Sequence, residues 1–404
     1  MGALIHTPTV LRGSRIPPSL ANARLIVAAA LLLAGVGCGG LRLPFKPQAR
    51  PGDWQTFGRG SDRNAVAPAS LSPPLSIAWT AGFSAGAGRG SPVVADSIAF
   101  VGTLRGELYA YRMSDGRQLG RVTLGAAIDG SPAIVGGTAI AATAYSSHSL
   151  VRFDLLDGTP IWEAPCGDLE ATPLVVGDRV YVGNTSGVFT CVDLRSGTVL
   201  WQFAIPDNER IKGIRSAAAA CDTLVIFGAD DGTVYALGAA SGTPAWKHRA
   251  GDVVLAPPVV TDSVVVVCTL GGTVTALSGR SGRALWSRNV SGGIAGPAVV
   301  TGGRVVVTTL RGTIEALDRS TGSPLWKSSP GTPMNSGGVV TGEFFFAGTL
   351  TKELLAVRLA DGEIVWRLQL DGRVKSGPAV AGDKLLIATD AQTLVALEMP
   401  RRLP

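Results

Sequence analysis

The side chains that could carry chemistry are few and scattered. The histidines are His6, His148 and His248, too few for a His-based metal site or a catalytic triad built on more than one of them. Asp230 and Asp231 form a paired carboxylate of the kind a metal or an acid–base step could use. Beyond Cys38, four cysteines remain: Cys166, Cys191, Cys221 and Cys268. Their spacing matches no metal-ligand pattern, and they read as small buried residues that an exporting compartment could also oxidise. The glycine-rich run from Gly86 to Gly90 lacks the helix pattern and the Lys-Ser/Thr pair that phosphate binding needs.

What positions these residues is a repeat. Gly232-Thr233-Val234-Tyr235-Ala236-Leu237 is followed by Ser241-Gly242 and Trp246. The same frame returns at Gly272 with Trp286, at Gly312 with Trp326, at Gly187 with Trp201, at Lys352 with Trp366 and at His148 with Trp162. Gly106 opens a copy with Gly120 at the tryptophan position, and Gln392 opens the last. A period near 40 residues with several strands per unit is the mark of a β-propeller. Within each unit a Pro-led strand precedes a β-branched strand such as Val264 to Val267, whose lack of polar alternation suits burial on both faces. The expected fold is therefore all-β, an eight-bladed propeller of four-stranded blades. Trp79, which precedes the first unit, supplies the outer strand of the last blade and closes the ring. Trp79, Trp162, Trp201, Trp246, Trp286, Trp326 and Trp366 are then packing residues between blades. Asp230 and Asp231 fall in the turn between the second and third strands, where Asp favours turn geometry. His148 and His248 fall on surface loops.

Composition agrees. The 53 glycines among 404 residues make about 13%, against a usual share of roughly 7%, as many tight turns require. Charged residues are only 16%. The formal charge is +6, but residues 1–37 carry Arg12, Arg15 and Arg24 and no acid. The remaining 33 basic against 30 acidic residues give a nearly neutral body, which argues against a nucleic-acid partner.

The N-terminus reads as an address. Leu25 to Gly37 is an apolar run of about 20 Å as a helix, short of a bilayer core of about 30 Å and suited to a signal peptide. Gly35 and Gly37 before Cys38 resemble a bacterial lipobox, although Gly35 stands where that motif usually has Leu. That resemblance implies cleavage after residue 37 and acylation of Cys38; simple secretion and an uncleaved anchor are the alternatives. The expected organisation is a signal peptide over 1–37, a lipidated cysteine and tether over 38–52, a lead-in over 53–74, one propeller over 75–399 and a tail over 400–404.

The frame Ala316-Leu317-Asp318, Thr321-Gly322 and Trp326 resembles the PQQ-like propeller repeat. With the lipobox and eight units, the whole chain resembles the BamB family. The resemblance implies a non-enzymatic scaffold lipoprotein of the β-barrel assembly machinery, a monomer within a complex. It would sit on the periplasmic face of the outer membrane, help outer-membrane proteins insert and dock BamA, with no cofactor and no metal. The alternative is an exported PQQ-like repeat protein that binds another protein or a carbohydrate. A PQQ-dependent dehydrogenase is the remotest reading, because such enzymes carry adjacent cysteines against the cofactor and this chain has none. The longest repeat interval places an insertion between Trp201 and Ser216, and departures from a repeat are where function is added. Ile211-Lys212-Gly213 there resembles the Leu-Arg-Gly of the family's BamA-contacting connection. The docking expectation is that Ile211 and Ile214 anchor the partner, with Gly213 between them, while Arg210, Lys212 and Arg215 steer it. The irregular stretches Ala144 to Ser149 and Pro330 to Ser336 are secondary candidates for the same rim.

Overall fold

The forty-residue unit folds as a four-stranded antiparallel sheet whose strands follow one another outward from a central axis. In blade 5 these are Val259–Thr261, Val264–Cys268, Thr273–Ser278 and Ala284–Asn289. Asp262 and Ser263 make its first hairpin with both φ angles positive, the two-residue turn that matches strand twist. The second and third strands are almost wholly buried because neighbouring blades cover both faces. This computed structural model describes residues 40–50, 52–206 and 211–400, all within the compact unit Gly39–Pro404. The expected signal segment over 1–37, Cys38, Arg210 and residues 401–404 lie outside the described residues.

Eight such sheets form the eight-bladed propeller. The first seven blades span 93–123, 133–164, 174–204, 219–249, 259–289, 299–328 and 339–369. The eighth takes three strands from 379–398 and its outer strand from Ser76–Gly82, with Trp79 opposite Ala396. In the outer pair of most blades a register shift follows the repeat alanine and sets it opposite the tryptophan, as with Ala276 and Trp286. In blade 3 the alanine is replaced by Cys191, opposite Trp201.

Trp79, Trp162, Trp201, Trp246, Trp286 and Trp326 each pin their blade to the next. The indole N–H of Trp286 donates to Arg319 O at 2.8 Å, that of Trp246 to Gly279 O at 2.8 Å, and that of Trp79 to Met113 O at 2.9 Å. The last of these joins blade 8 to blade 1. The same six rings lie against the turn glycine of the next blade. A Cβ at Gly282 would come within 2.5 Å of Trp246, and one at Gly322 within 2.5 Å of Trp286, so glycine is needed there for close approach as well as for its positive φ.

Residues 40–50 depart from the expected tether. Leu41 and Leu43 are buried in the core shared by blades 1 and 2. The reason is Gly120, which stands at the tryptophan position of blade 1: a Cβ there would meet Leu41 Cα at 3.1 Å. Val122 and Leu41 share the vacated slot over the turn glycine Gly158, where a Cβ would meet Val122 at 3.2 Å and Leu41 at 3.5 Å, and Leu43 N–H donates to Leu156 O at 2.8 Å, much as an indole would. Lys46 pairs with Asp154 at 2.5 Å, and Arg50 with Asp96. Flexible linkers bury no leucines; this segment is a strap.

The lead-in is also interior. The innermost strand of each blade has an edge facing the channel, with backbone N–H groups that need partners. Trp54 O accepts from Val94 N–H in blade 1 and Gln55 O from Ile134 N–H in blade 2. Ser61 O accepts from Ala220 in blade 4, Asp62 O from Val260 in blade 5 and Ala65 O from Val340 in blade 7. Asn64 bonds both backbone groups of Val300 in blade 6. Val66–Ala67 then pairs in parallel with Val340 and Thr341. Arg63, fully buried, reaches Ala218 O at 2.7 Å and Pro173 O at 3.2 Å. Burial pulls its pKa down to about 10, with Asp62 opposing the shift, so it stays charged at neutral pH.

Candidate docking face

Strand direction alternates, so the hairpins between second and third strands share one face with the connections that lead into the next blade. Backbone bonds tie the two together around the ring: Leu104 N–H to Gly86 O, Asp230 N–H to Gly213 O, Leu310 N–H to Gly293 O. The candidate docking residues lie on this face, but the structure divides them.

Ile211 is 60% exposed. Lys212 is half-buried, and its Cβ and carbonyl lie where a Cβ on Gly187 would intrude at 2.6 and 2.7 Å. Gly213 is buried, and a Cβ there would strike Asp230 Oδ2 at 2.3 Å. Ile214 is 0% exposed and packs in the core of blades 3 and 4. The expectation that Ile214 anchors a partner is therefore corrected. Its N–H donates to Asn184 O, and Val254, Ile294, Met334 and Val374 repeat that bond in the following blades. Ile214 is thus a blade-packing residue in register. Arg215 is held by Asp230, Nε to Oδ2 at 2.9 Å, so its charge is matched within the chain. Arg210 lies outside the described residues.

Two features of this face escaped sequence reasoning. Leu104 and Leu310 are exposed at hairpin tips, where they join Tyr145 of the candidate stretch Ala144 to Ser149, 84% exposed. The signal was present: an apolar residue at a turn where polar ones are favoured. The other feature is Asp230, whose role is to hold Arg215, while Asp231 caps its turn by accepting from Thr233 N–H at 2.8 Å and from Tyr235 OH at 2.6 Å. Of the secondary candidates, Tyr145 reaches solvent, whereas Asn335 and Ser336 turn toward the axis.

At the axis each incoming connection contributes one residue. Among the cavity's lining residues, Arg89, Gly130, Glu170 and Arg215 lead into blades 1 to 4, and Leu255, Ala295, Asn335 and Lys375 lead into blades 5 to 8. Arg89 bridges Asp129 at 2.7 Å and Glu170 at 2.6 Å. The cavity between them is about 60 Å³, because Phe57 of the lead-in forms its floor. Small-molecule pockets start at roughly 300 Å³, and the cavity at this end of the channel is well below that. Among the described residues, Cys166, Cys191, Cys221 and Cys268 are free and buried. Burial pushes the thiols of Cys166 and Cys268 up to about 12 and that of Cys191 to about 11, which keeps them protonated and unreactive.

Comparison with known proteins follows the same lines. The family described as outer membrane protein assembly factor BamB matches residues 69–228, 230–326 and 310–400. BamB of Burkholderia pseudomallei is 27% identical over 180 residues, which is 39% of this chain and 44% of that protein. BamB of Xanthomonas campestris is 27% identical over 189 residues, 44% of this chain and 45% of that protein. The chain thus aligns with somewhat less than half the length of these curated relatives. Among solved structures, BamB of Moraxella catarrhalis has a TM-score of 0.69 at 19% identity, covering 80% of this chain and all of that one. A quinohemoprotein alcohol dehydrogenase from Pseudomonas putida has a TM-score of 0.76 at 14% identity, covering 88% of this chain and 82% of that one. Those two likenesses speak for the fold alone, since one propeller serves both functions. With the family match spanning nearly the whole ring, the chain belongs to the BamB family of outer membrane protein assembly factors.

Proposed function

We propose that this chain is a non-enzymatic scaffold in outer membrane protein assembly, docking a BamA-like protein through the face that carries Ile211. The observation that carries the reading is the state of Ile211: an aliphatic side chain 60% exposed at the longest insertion in the repeat, beside backbone fixed by Lys212 to Ile214. An apolar anchor on a rigid base loses little entropy on binding. Lys212 supplies charge beside it, and Tyr145 and Leu104 extend the apolar rim toward blades 1 and 2. The family membership supports the assembly role and an outer-membrane location. Lipidation at Cys38 and a periplasmic orientation belong to the same reading. The narrow, plugged channel favours a scaffold over a cofactor enzyme.

The test is co-purification from membranes. The wild-type protein should recover a BamA-like partner, and the double variant Ile211→Asp, Lys212→Asp should lose it with an unchanged melting temperature. Equal recovery by the variant would remove this face from the interface. No such partner on the wild type would remove the scaffold reading.

A further inference from the structure

We propose that the edge of blades 1 and 2 beneath the strap is a lipid-contacting surface, so that the propeller rests on the bilayer at that edge instead of hanging from a tether. The proposal rests on the reading of Cys38 as the acylated residue. Gly40 is already part of the folded strap, and Leu41 fills the Gly120 slot. Gly39 alone separates Gly40 from Cys38, and the two residue steps span about 7 Å of fully extended chain. Acyl chains carried by Cys38 lie below the headgroups, so the headgroup layer must reach the strap.

The strap's outward chemistry suits that neighbour. Leu41, Leu43 and Pro47 face inward, while Arg42, Phe45, Lys46 and Gln48 face outward. Of the cations in residues 40–50, Lys46 pairs with Asp154 and Arg50 with Asp96 across the strap, and Arg42 is exposed. Phe45 and Leu156 are exposed, 44% and 41%, beside these cations. An aromatic and an aliphatic side chain beside an exposed arginine match the interfacial layer of a membrane. Strand direction puts the docking connection with Ile211 on the face away from the hairpin turns at Asp96, Gly137 and Leu156 that the strap touches. Seating this edge on lipid therefore leaves Ile211 open to a partner.

The experiment uses the full chain, exported and processed by its host, with one added surface cysteine. The native thiols are buried, so the added one takes the fluorophore. Gln48→Cys reports the strap and Arg311→Cys reports the opposite face; both positions are exposed. In phosphatidylethanolamine–phosphatidylglycerol vesicles containing headgroup-nitroxide lipid, the strap label should be quenched at least fivefold more than the label at 311. Ten glycine and serine residues inserted between Gly39 and Gly40 should abolish that difference while vesicle binding persists. Gly120→Trp, which evicts Leu41 by restoring the repeat residue, should do the same. Equal quenching at both positions in acylated protein overturns the proposal, as does strap quenching that survives the insertion. Mass spectrometry of the N-terminal peptide reads acylation separately: an unmodified Cys38 overturns the lipidation reading, and the proposal falls with it.

Discussion

Blade 1 and the connection between blades 3 and 4 both break the forty-residue unit, one by loss and the other by gain. At Gly120 a tryptophan is absent and no residue is added. The vacancy is filled from within the same chain by Leu41, which shares with Val122 the contact with the turn glycine Gly158. After Trp201 residues are added. The structure absorbs the later part of that addition back into the repeat, with Ile214 in the packing position and Arg215 on Asp230. Among the described residues of the addition, Ile211 is left as an exposed large apolar side chain. A missing residue in a repeat thus marks an internal partner. An inserted one marks an external partner only up to the point where register resumes.

The sharpest attack on this division is Ile214→Asp. It would place an uncompensated carboxylate in the core of blades 3 and 4, at a cost of several kcal/mol, enough to prevent folding at 37 °C. Ile214→Val should cost only about 1 kcal/mol, because Val254 and Val374 hold the same position in later blades. Circular dichroism melting of the pair checks both. A folded Ile214→Asp protein would return Ile214 to the docking surface.

The interior status of the N-terminal run is tested by Arg63→Met, which keeps volume and removes the donors. Ala218 O and Pro173 O lose their partners at the axis, and the expected loss is about 3–5 kcal/mol in urea unfolding. A change below about 1 kcal/mol would mean that the lead-in decorates the ring without holding it.

Leu41→Ala should act more locally. A buried leucine truncated to alanine costs about 2–5 kcal/mol where nothing can give way. The strap, however, can peel off while blade 1 stays paired. Limited proteolysis should therefore cut within 40–50 several-fold faster, with little shift of the main melting transition. Unchanged cleavage would separate Leu41 from the missing tryptophan.

The legibility of these features in the sequence follows the same line. The ring was legible because eight copies state each rule repeatedly, and the unpaired Trp79 revealed where the ends meet. The strap was not, since Leu41 and Leu43 sit in a run with Pro44, Pro47 and several basic residues that has the composition of a linker. The slot they fill is visible only as one glycine eighty residues away. The lead-in was equally opaque, because its bonds to the blades use mostly backbone carbonyls, which leave no side-chain pattern. Ile214 was misread because register was counted from Ser216 backward as insertion, when the repeat had already resumed.

The smallest stability effect carries the most functional weight. Ile211→Asp changes an exposed side chain on backbone that its neighbours already hold, so stability should move by less than about 0.5 kcal/mol. If Ile211 is the anchor, burying a carboxylate in its place should cost at least about 1.4 kcal/mol of binding, tenfold in affinity for the assembly partner. Ile214, three residues on, should show the reverse signature: Ile214→Val, mildly destabilised, should bind as the wild type does. Both variants can be measured on folded protein by melting temperature and by titration against the same partner. The division stands only if the two effects separate. A variant at Ile211 that binds normally would leave the connection without a role and shift attention along the rim to Tyr145, whose side chain is the most exposed of the large apolar groups on that face.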